Sequence, residues 1–121
     1  MATFVESRGF TVRLPEFLSP ETYRELQNVL AANPARGPVM TGCGGLRKIR
    51  VRDEGRGKGK RGGARVVYLH IPEVSRIDLL AIYGKNEKDD LSTEDRKALA
   101  ALARQAKAEA IAGVRKGGRR A

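Results

Sequence analysis

The sequence predicts an α+β fold, in which N-terminal helices and a C-terminal helix pack on one face of a mostly antiparallel sheet. Three observations support this prediction: a β-favouring start followed by a well-capped helix, a meander of three strand-like segments, and an alanine-rich amphipathic segment near the end. A length of 121 residues suits one domain and excludes a full barrel, which needs about 250 residues. We expect this domain to span residues 1–112, followed by a basic, disordered tail over 113–121.

The first elements follow from local signals. Residues 3–6 are β-favouring and predict a strand, whereas residues 10–18 contain a proline and predict only a short helical turn. A longer helix begins after Ser19, because serine suits the N-cap and Pro20 suits the first helical position. Pro34 predicts its end, since a residue that precedes proline avoids the α region.

The middle of the chain predicts a three-stranded meander. Residues 46–52 alternate apolar and basic side chains, as in a strand with one buried and one basic face. A loop rich in glycine, lysine and arginine follows over 53–63, and residues 65–71 form the returning strand. Residues 76–83 are almost continuously apolar, which predicts a third strand that is buried on both faces.

The last element is a helix. Ser92 and Asp95 have the spacing of a capping box, with aspartate in place of the usual glutamate. Apolar side chains then recur at helical spacing, so we expect the helix to run to about Ala112, with Gly113 and the pair Gly117–Gly118 ending it.

Charge and composition limit the possible functions. The chain has 24 lysines and arginines against 14 acids, a net charge of +10, which favours a polyanionic partner such as nucleic acid, an anionic membrane surface or an acidic protein. Cys43 is the only cysteine and His70 the only histidine, which weighs against a disulfide, a zinc site and a Cys–His catalytic centre. No signal peptide or membrane span is evident, so we expect a cytoplasmic protein with no membrane partner. We also expect no cofactor.

Basic residues concentrate around the meander. Nine lysines and arginines lie between Arg47 and Arg65, against two acids, and such a one-sided cluster suits a phosphate backbone. Residues 57–62 match G-x-G-x-x-G, but they lie between two strands rather than between a strand and a helix, which argues against a dinucleotide site. The segment is either a solvated loop or a phosphate-binding one, and the sequence leaves both open. Tyr68 and Tyr83 are either stacking platforms or partly buried core residues.

Three ordered blocks resemble one known family. They are Thr41-Gly-Cys-Gly-Gly-Leu-Arg-Lys-Ile-Arg50, Gly57-Lys-Gly-Lys-Arg-Gly-Gly-Ala-Arg-Val-Val-Tyr68 and Leu80-Ala-Ile-Tyr-Gly-Lys-Asn-Glu-Lys-Asp-Asp-Leu91. Together they resemble HigB-type members of the RelE/ParE toxin superfamily, and the resemblance covers most of the chain. It implies a RelE-like fold and the toxin of a type II toxin–antitoxin system, a ribosome-dependent mRNA endoribonuclease (mRNA interferase). Its implied partners are the ribosome, mRNA and a cognate antitoxin, which we expect to be acidic over its contact surface.

The resemblance also implies site residues. Matched to the family's catalytic positions are Arg65, Lys48, Arg50 and Lys85. By their position or charge, six further residues are expected to bind RNA or the ribosome: Arg47, Lys58, Lys60, Arg61, Tyr83 and Asn86. Where RelE has an arginine this chain has Asn86, and where RelE has a C-terminal tyrosine it has Ser92. The general base therefore stays open among Lys48, Lys85 and Tyr83.

The implied chemistry needs neither a metal nor a cofactor. The RNA 2′-hydroxyl attacks the adjacent phosphorus, while the protein positions the nucleotide, moves two protons and stabilises charge on the phosphoryl oxygens. Arginine suits this last task because its guanidinium binds a phosphoryl group through two hydrogen bonds. Two other functions stay open: a ParE-like toxin that inhibits a topoisomerase, and a non-catalytic RNA-binding module.

Overall fold

The computed structural model describes residues 2–52, 63–84 and 91–118, with side chains up to residue 113. Within these ranges, four strands form one sheet: β1 Thr3–Glu6, β2 Arg47–Val51, β3 Ala64–Ile71 and β4 Arg76–Gly84. The helices are α1 Arg8–Phe17, α2 Pro20–Ala32 and α3 Thr93–Gly118, and a short 3-10 helix, Pro72–Val74, joins β3 to β4.

The sheet has the strand order β1-β4-β3-β2. The β2–β3 and β3–β4 pairs are antiparallel, and β1 adds to the far side of β4 as a parallel strand. The sequence prediction of an α+β fold with a mostly antiparallel sheet is therefore confirmed. β3 and β4 occupy the two central positions, which explains why nearly all their residues are buried.

α1 is a full helix of ten residues rather than the short turn expected from its proline. The side chain of Ser7 caps it by accepting a hydrogen bond from the Phe10 amide at 3.1 Å. The same hydroxyl donates to the Leu80 carbonyl at 2.9 Å and so fixes the start of the helix against β4. Pro15 removes one helical amide near the end of α1, and that loss does not outweigh the cap and the contacts with the sheet.

α2 has the boundaries that the sequence predicts. Ser19 is its N-cap and accepts a hydrogen bond from the Thr22 amide at 3.2 Å, and Pro20 is the first helical residue. The helix ends at Ala32, immediately before Asn33 and Pro34.

The helices do not share one face of the sheet, contrary to expectation. One core cluster joins Phe10 of α1 and Leu30 of α2 to the side chain of Tyr68 in β3. A second cluster joins Leu99 of α3 to Val67 of the same strand. Because neighbouring strand residues point to opposite faces, α1 and α2 cover one face and α3 covers the other. Both faces of β3 are apolar, so each needs its own cover.

The start of α3 is a capping box. The Ser92 amide donates to the Asp95 carboxylate at 3.2 Å, and the Asp95 amide donates to the Ser92 hydroxyl at 3.1 Å. The helix continues to Gly118, so the expected end at Ala112 is wrong. A single interior glycine costs about 1 kcal/mol, and Gly113 is preceded by a long run of good helix formers that outweighs this cost. None of the helices in the described part of the chain is long and apolar enough to cross a bilayer.

Candidate nucleic-acid interface

Three polar side chains lie in one row across neighbouring strands of the sheet, here called the rung. Arg50 of β2 lies directly opposite Arg65 of β3, and Arg65 lies directly opposite Tyr83 of β4. Directly opposite residues point to the same face, so all three share the α3 face of the sheet. Exposure falls sharply along the rung: Arg50 is exposed, Arg65 is 7% exposed and Tyr83 is 2% exposed.

A third cation, Lys48, lies beside the Arg50–Arg65 pair, and these three residues together form the cationic triangle. Lys48 lies two residues before Arg50 on β2 and therefore on the same face. Its direct partner on β3 is Val67, so Lys48 and Arg65 are diagonal neighbours. Diagonal residues are typically about 7–8 Å apart and directly opposite ones about 5 Å, distances that long side chains can bridge. The fold thus brings together three of the four residues predicted to be catalytic.

This arrangement favours a bound anion. Like charges directly opposite one another destabilise a strand pair. The buried Arg65 guanidinium also donates a hydrogen bond to the Gly63 carbonyl at 3.5 Å. An anionic group between the two guanidiniums converts their repulsion into two attractions. Each guanidinium also offers two parallel N–H donors, which match the oxygens of a phosphoryl group.

Gly63 sets the position of Arg65. It directly precedes β3 and has a φ of 70°, a region that favours glycine. A Cβ at Gly63 would collide with the carbonyl oxygen of Val51, at the end of β2. This close backbone approach holds the ends of β2 and β3 together beside the Arg50–Arg65 pair. The sequence pattern does not single out Gly63, although a glycine within a strand often marks a close backbone approach.

Arg47 has a different location from that expected of an RNA-binding residue. It pairs with Tyr68, on the face opposite Lys48 and Arg50. Its guanidinium donates to the carbonyls of Ala35, at 3.3 Å, and Gly37, at 2.8 Å. Arg47 therefore holds the segment before β2 in place, and the structure does not bring it together with the cationic triangle.

Tyr68 fixes the same segment from within the core. Its hydroxyl donates to the Pro34 carbonyl at 2.7 Å and accepts from the Gly37 amide at 2.9 Å. The side chain is fully buried, and this burial raises the pKa of Tyr68. Of the two interpretations of Tyr68, the structure supports core burial and contradicts the stacking role.

Tyr83 is also a core residue. It belongs to the cluster formed with Leu99 and Ala103 of α3, and only 2% of it is exposed. Its ring therefore presents no open face to a base, which argues against the predicted stacking contact. Tyr83 lies directly opposite Arg65 and forms the buried end of the rung.

The remaining predicted site residues lie outside the described part of the chain. They are Lys58, Lys60, Arg61, Lys85 and Asn86. Their roles, and that of the glycine-rich segment 57–62, stay predictions. Within residues 2–52, 63–84 and 91–118, no group of three histidine, cysteine, aspartate or glutamate side chains is placed to hold a metal ion.

Comparison with known proteins identifies the fold. No family model matches the chain. Among solved structures, it is similar to E. coli toxin RelE, in the free state of a variant with two arginines replaced by alanine. The TM-score is 0.54 at 14% sequence identity, and the match covers 84% of this chain and 97% of the other. The expectation of a RelE-like fold is thereby confirmed.

Proposed function

We propose that this chain is the toxin of a type II toxin–antitoxin system and cleaves mRNA on the ribosome. The observation that carries the proposal is the Arg50–Arg65 pair, with Lys48 diagonal to Arg65, on one face of a RelE-like sheet. Three cations on neighbouring strand positions form a site for a phosphoryl group with high negative charge. The sequence blocks that resemble HigB-type toxins contain all three residues and favour that branch of the superfamily.

The proposed reaction is an internal transfer within RNA. The 2′-oxygen attacks the adjacent phosphorus as its proton passes to a base, and a bond forms between them. The bond from phosphorus to the 5′-oxygen breaks, and this oxygen receives a proton. The products are a 2′,3′-cyclic phosphate and a free 5′-hydroxyl, with no additional reactant.

The described cations suit different parts of this reaction. Arg65 is held rigidly by burial, so its guanidinium stabilises the charge that develops on the phosphoryl oxygens without first reorganising. Arg50 lies at the exposed end of the rung and binds the same phosphoryl group as it enters. Lys48 is one candidate for proton transfer, and the family positions Lys85 and Tyr83 are the others. The burial of Tyr83 makes it the weakest of the three.

The partners follow from the same proposal. The ribosome and mRNA supply the polyanion that a net charge of +10 favours. An acidic cognate antitoxin neutralises the toxin, either by covering the cationic triangle or by adding bulk that prevents entry into the ribosome. Both partners place the protein in the cytoplasm.

A reconstituted translation system tests the proposal. The purified protein is incubated with one mRNA, with and without ribosomes, and cleavage is mapped by primer extension. We expect cuts in the translated region only when ribosomes are present, with 2′,3′-cyclic phosphate ends. Intact mRNA in both reactions would contradict the proposal. Inhibition of a topoisomerase in a parallel supercoiling assay would then favour the ParE-like alternative.

A further inference from the structure

A second basic surface lies beside α3, outside the cationic triangle. A cleft of about 500 Å³ separates the turn before β2 from one flank of α3. The residues that line it and that matter here are Thr41, Thr93, Arg96, Lys97, Ala100 and Arg104. Spacings of three, four and seven residues place the α3 members on one flank of the helix, where the small side chain of Ala100 forms the floor between longer ones.

The charges of α3 are segregated around the helix. The cleft flank carries Arg96, Lys97 and Arg104, and no acidic residue is among the described residues that line it. Asp95 lies on another side, where it caps the helix through Ser92 and lines a separate pocket. A solvated helix face usually mixes charges of both signs, so this separation points to an anionic ligand.

The turn is fixed against the helix. Cys43 is 2% exposed, and the Arg96 guanidinium contacts its sulfur at 3.8 Å. Lys97 and Arg104 are exposed on the same flank, two helical turns apart. The cleft therefore has a packed wall on the turn side and two solvent-accessible cations on the helix side, and Thr41 and Thr93 also line it.

The cleft adjoins the face that carries Arg65. The turn beside it packs through Cys43 and Leu46 onto Val67 and Leu69 of β3. Leu69 and Arg65 are four residues apart on the same face, a separation of about 13 Å along a strand. A single flexible strand of nucleic acid that is bound at Arg65 can therefore reach the cleft.

We propose that this cleft is a second phosphate-binding site, which holds the backbone of the same RNA a short distance from the scissile phosphate. The proposal rests on the proposed function for the identity of the RNA. The lining favours RNA over an acidic peptide, because its described apolar members, Cys43 and Ala100, are small and buried. A peptide interface is usually anchored by large apolar or aromatic side chains, whereas cations and hydroxyls are typical of backbone phosphate contacts.

RNA binding by matched variants tests the cleft. The probe is a fluorescent single-stranded RNA with 2′-O-methyl groups, which cannot undergo the cleavage reaction. The cleft variant is Lys97→Gln with Arg104→Gln, and the control is Arg8→Gln with Arg24→Gln, which removes two exposed charges from α1 and α2 on the opposite side of the sheet. We expect the cleft variant to bind more weakly and to reduce the slope of log affinity against log salt by about 1.4, the value for two phosphate contacts. The control should keep the wild-type slope.

The outcomes separate this inference from the proposed function. Equal slopes for the cleft and control variants would overturn the second site, even if the wild type cleaves mRNA on ribosomes. A reduced slope in the cleft variant alone would support the site, even if the wild type cleaves nothing. An unchanged RNA slope together with lost binding of a poly-glutamate peptide would overturn the RNA assignment in favour of an acidic protein.

Discussion

Arg50 and Arg65 lie directly opposite each other in the antiparallel ladder between β2 and β3, with their side chains on the same face. Two like charges at this spacing oppose the pairing of the strands that hold them. In the proposed function, the same pair provides two guanidiniums on adjacent strands for one phosphoryl group. If the pair has this role, it lowers the stability of the sheet while it raises the affinity for RNA, and both effects can be measured.

Replacing Arg50 with glutamine should separate stability from binding. Arg50→Gln removes the repulsion, so we expect the free energy of unfolding to rise by about 0.2–1 kcal/mol at low salt. Binding of the 2′-O-methyl RNA should weaken at the same time. Urea denaturation and fluorescence anisotropy measure the two effects. Arg24→Gln, an equal charge change on an exposed residue of α2, should leave both nearly unchanged, and lower stability in Arg50→Gln would contradict the account.

Gly63 should be essential although it carries no charge. Gly63→Ala places a Cβ against the Val51 carbonyl at a φ of 70°, so we expect a loss of about 1–3 kcal/mol in stability and a lower cleavage rate. Gly9→Ala is the matched control, because Gly9 lies in α1 and a Cβ there meets nothing within 4 Å. Alanine at Gly9 should stabilise the protein slightly. Equal effects at the two glycines would show that Gly63 imposes no special backbone constraint.

Tyr68 should contribute to stability through its hydroxyl. Tyr68→Phe leaves the Gly37 amide and the Pro34 carbonyl without their partner, and Gly37 is buried. We expect a loss of about 1–3 kcal/mol in the free energy of unfolding, measured by urea denaturation. RNA affinity per folded molecule should not change, because Tyr68 lies on the face opposite the cationic triangle. A loss of affinity in the folded variant would indicate that the two faces are coupled.

Tyr23 should make the fold sensitive to alkaline pH. Burial, followed by the hydrogen bond from its hydroxyl to the Glu6 carboxylate at 2.6 Å, raises the pKa of Tyr23. The unfolded tyrosine ionises near pH 10 while the folded one stays neutral, so its contribution is complete below about pH 10 and is lost as the pH rises further. The stability difference between the wild type and Tyr23→Phe should therefore stay constant up to about pH 10 and shrink between about pH 10 and 12. A constant difference over that range would contradict this explanation.

The sequence predicts the elements of this fold better than their arrangement. The Ser19 cap and the Ser92–Asp95 capping box are local signals, and both helices begin as they indicate. The separation of the helices onto two faces depends on tertiary packing, although the apolar side chains on both faces of β3 are a signal for it. At Gly113 a local signal is misleading: glycine predicts a helix end, but the helix formers before it outweigh its cost and α3 continues.

The candidate site, like the fold, is predictable from the sequence only in part. Alternation along β2 places Lys48 and Arg50 together, and the same alternation puts Arg47 on the other face. The pairing of Arg50 with Arg65 depends on the register between β2 and β3, which composition and periodicity do not determine. The cleft beside α3 combines two segments at least 50 positions apart in the chain, so no local pattern reveals it.

Cleavage by the wild type and Arg65→Ala on ribosomes that carry one defined mRNA tests the central claim most directly. The rate is measured in a single turnover with toxin in excess, and circular dichroism verifies that the variant is folded. The account predicts a rate lower by about 10²–10³ for Arg65→Ala, since one preorganised donor to the developing phosphoryl charge is lost. A folded Arg65→Ala protein that cleaves at the wild-type rate would contradict the assignment of this rung as the site of phosphoryl transfer.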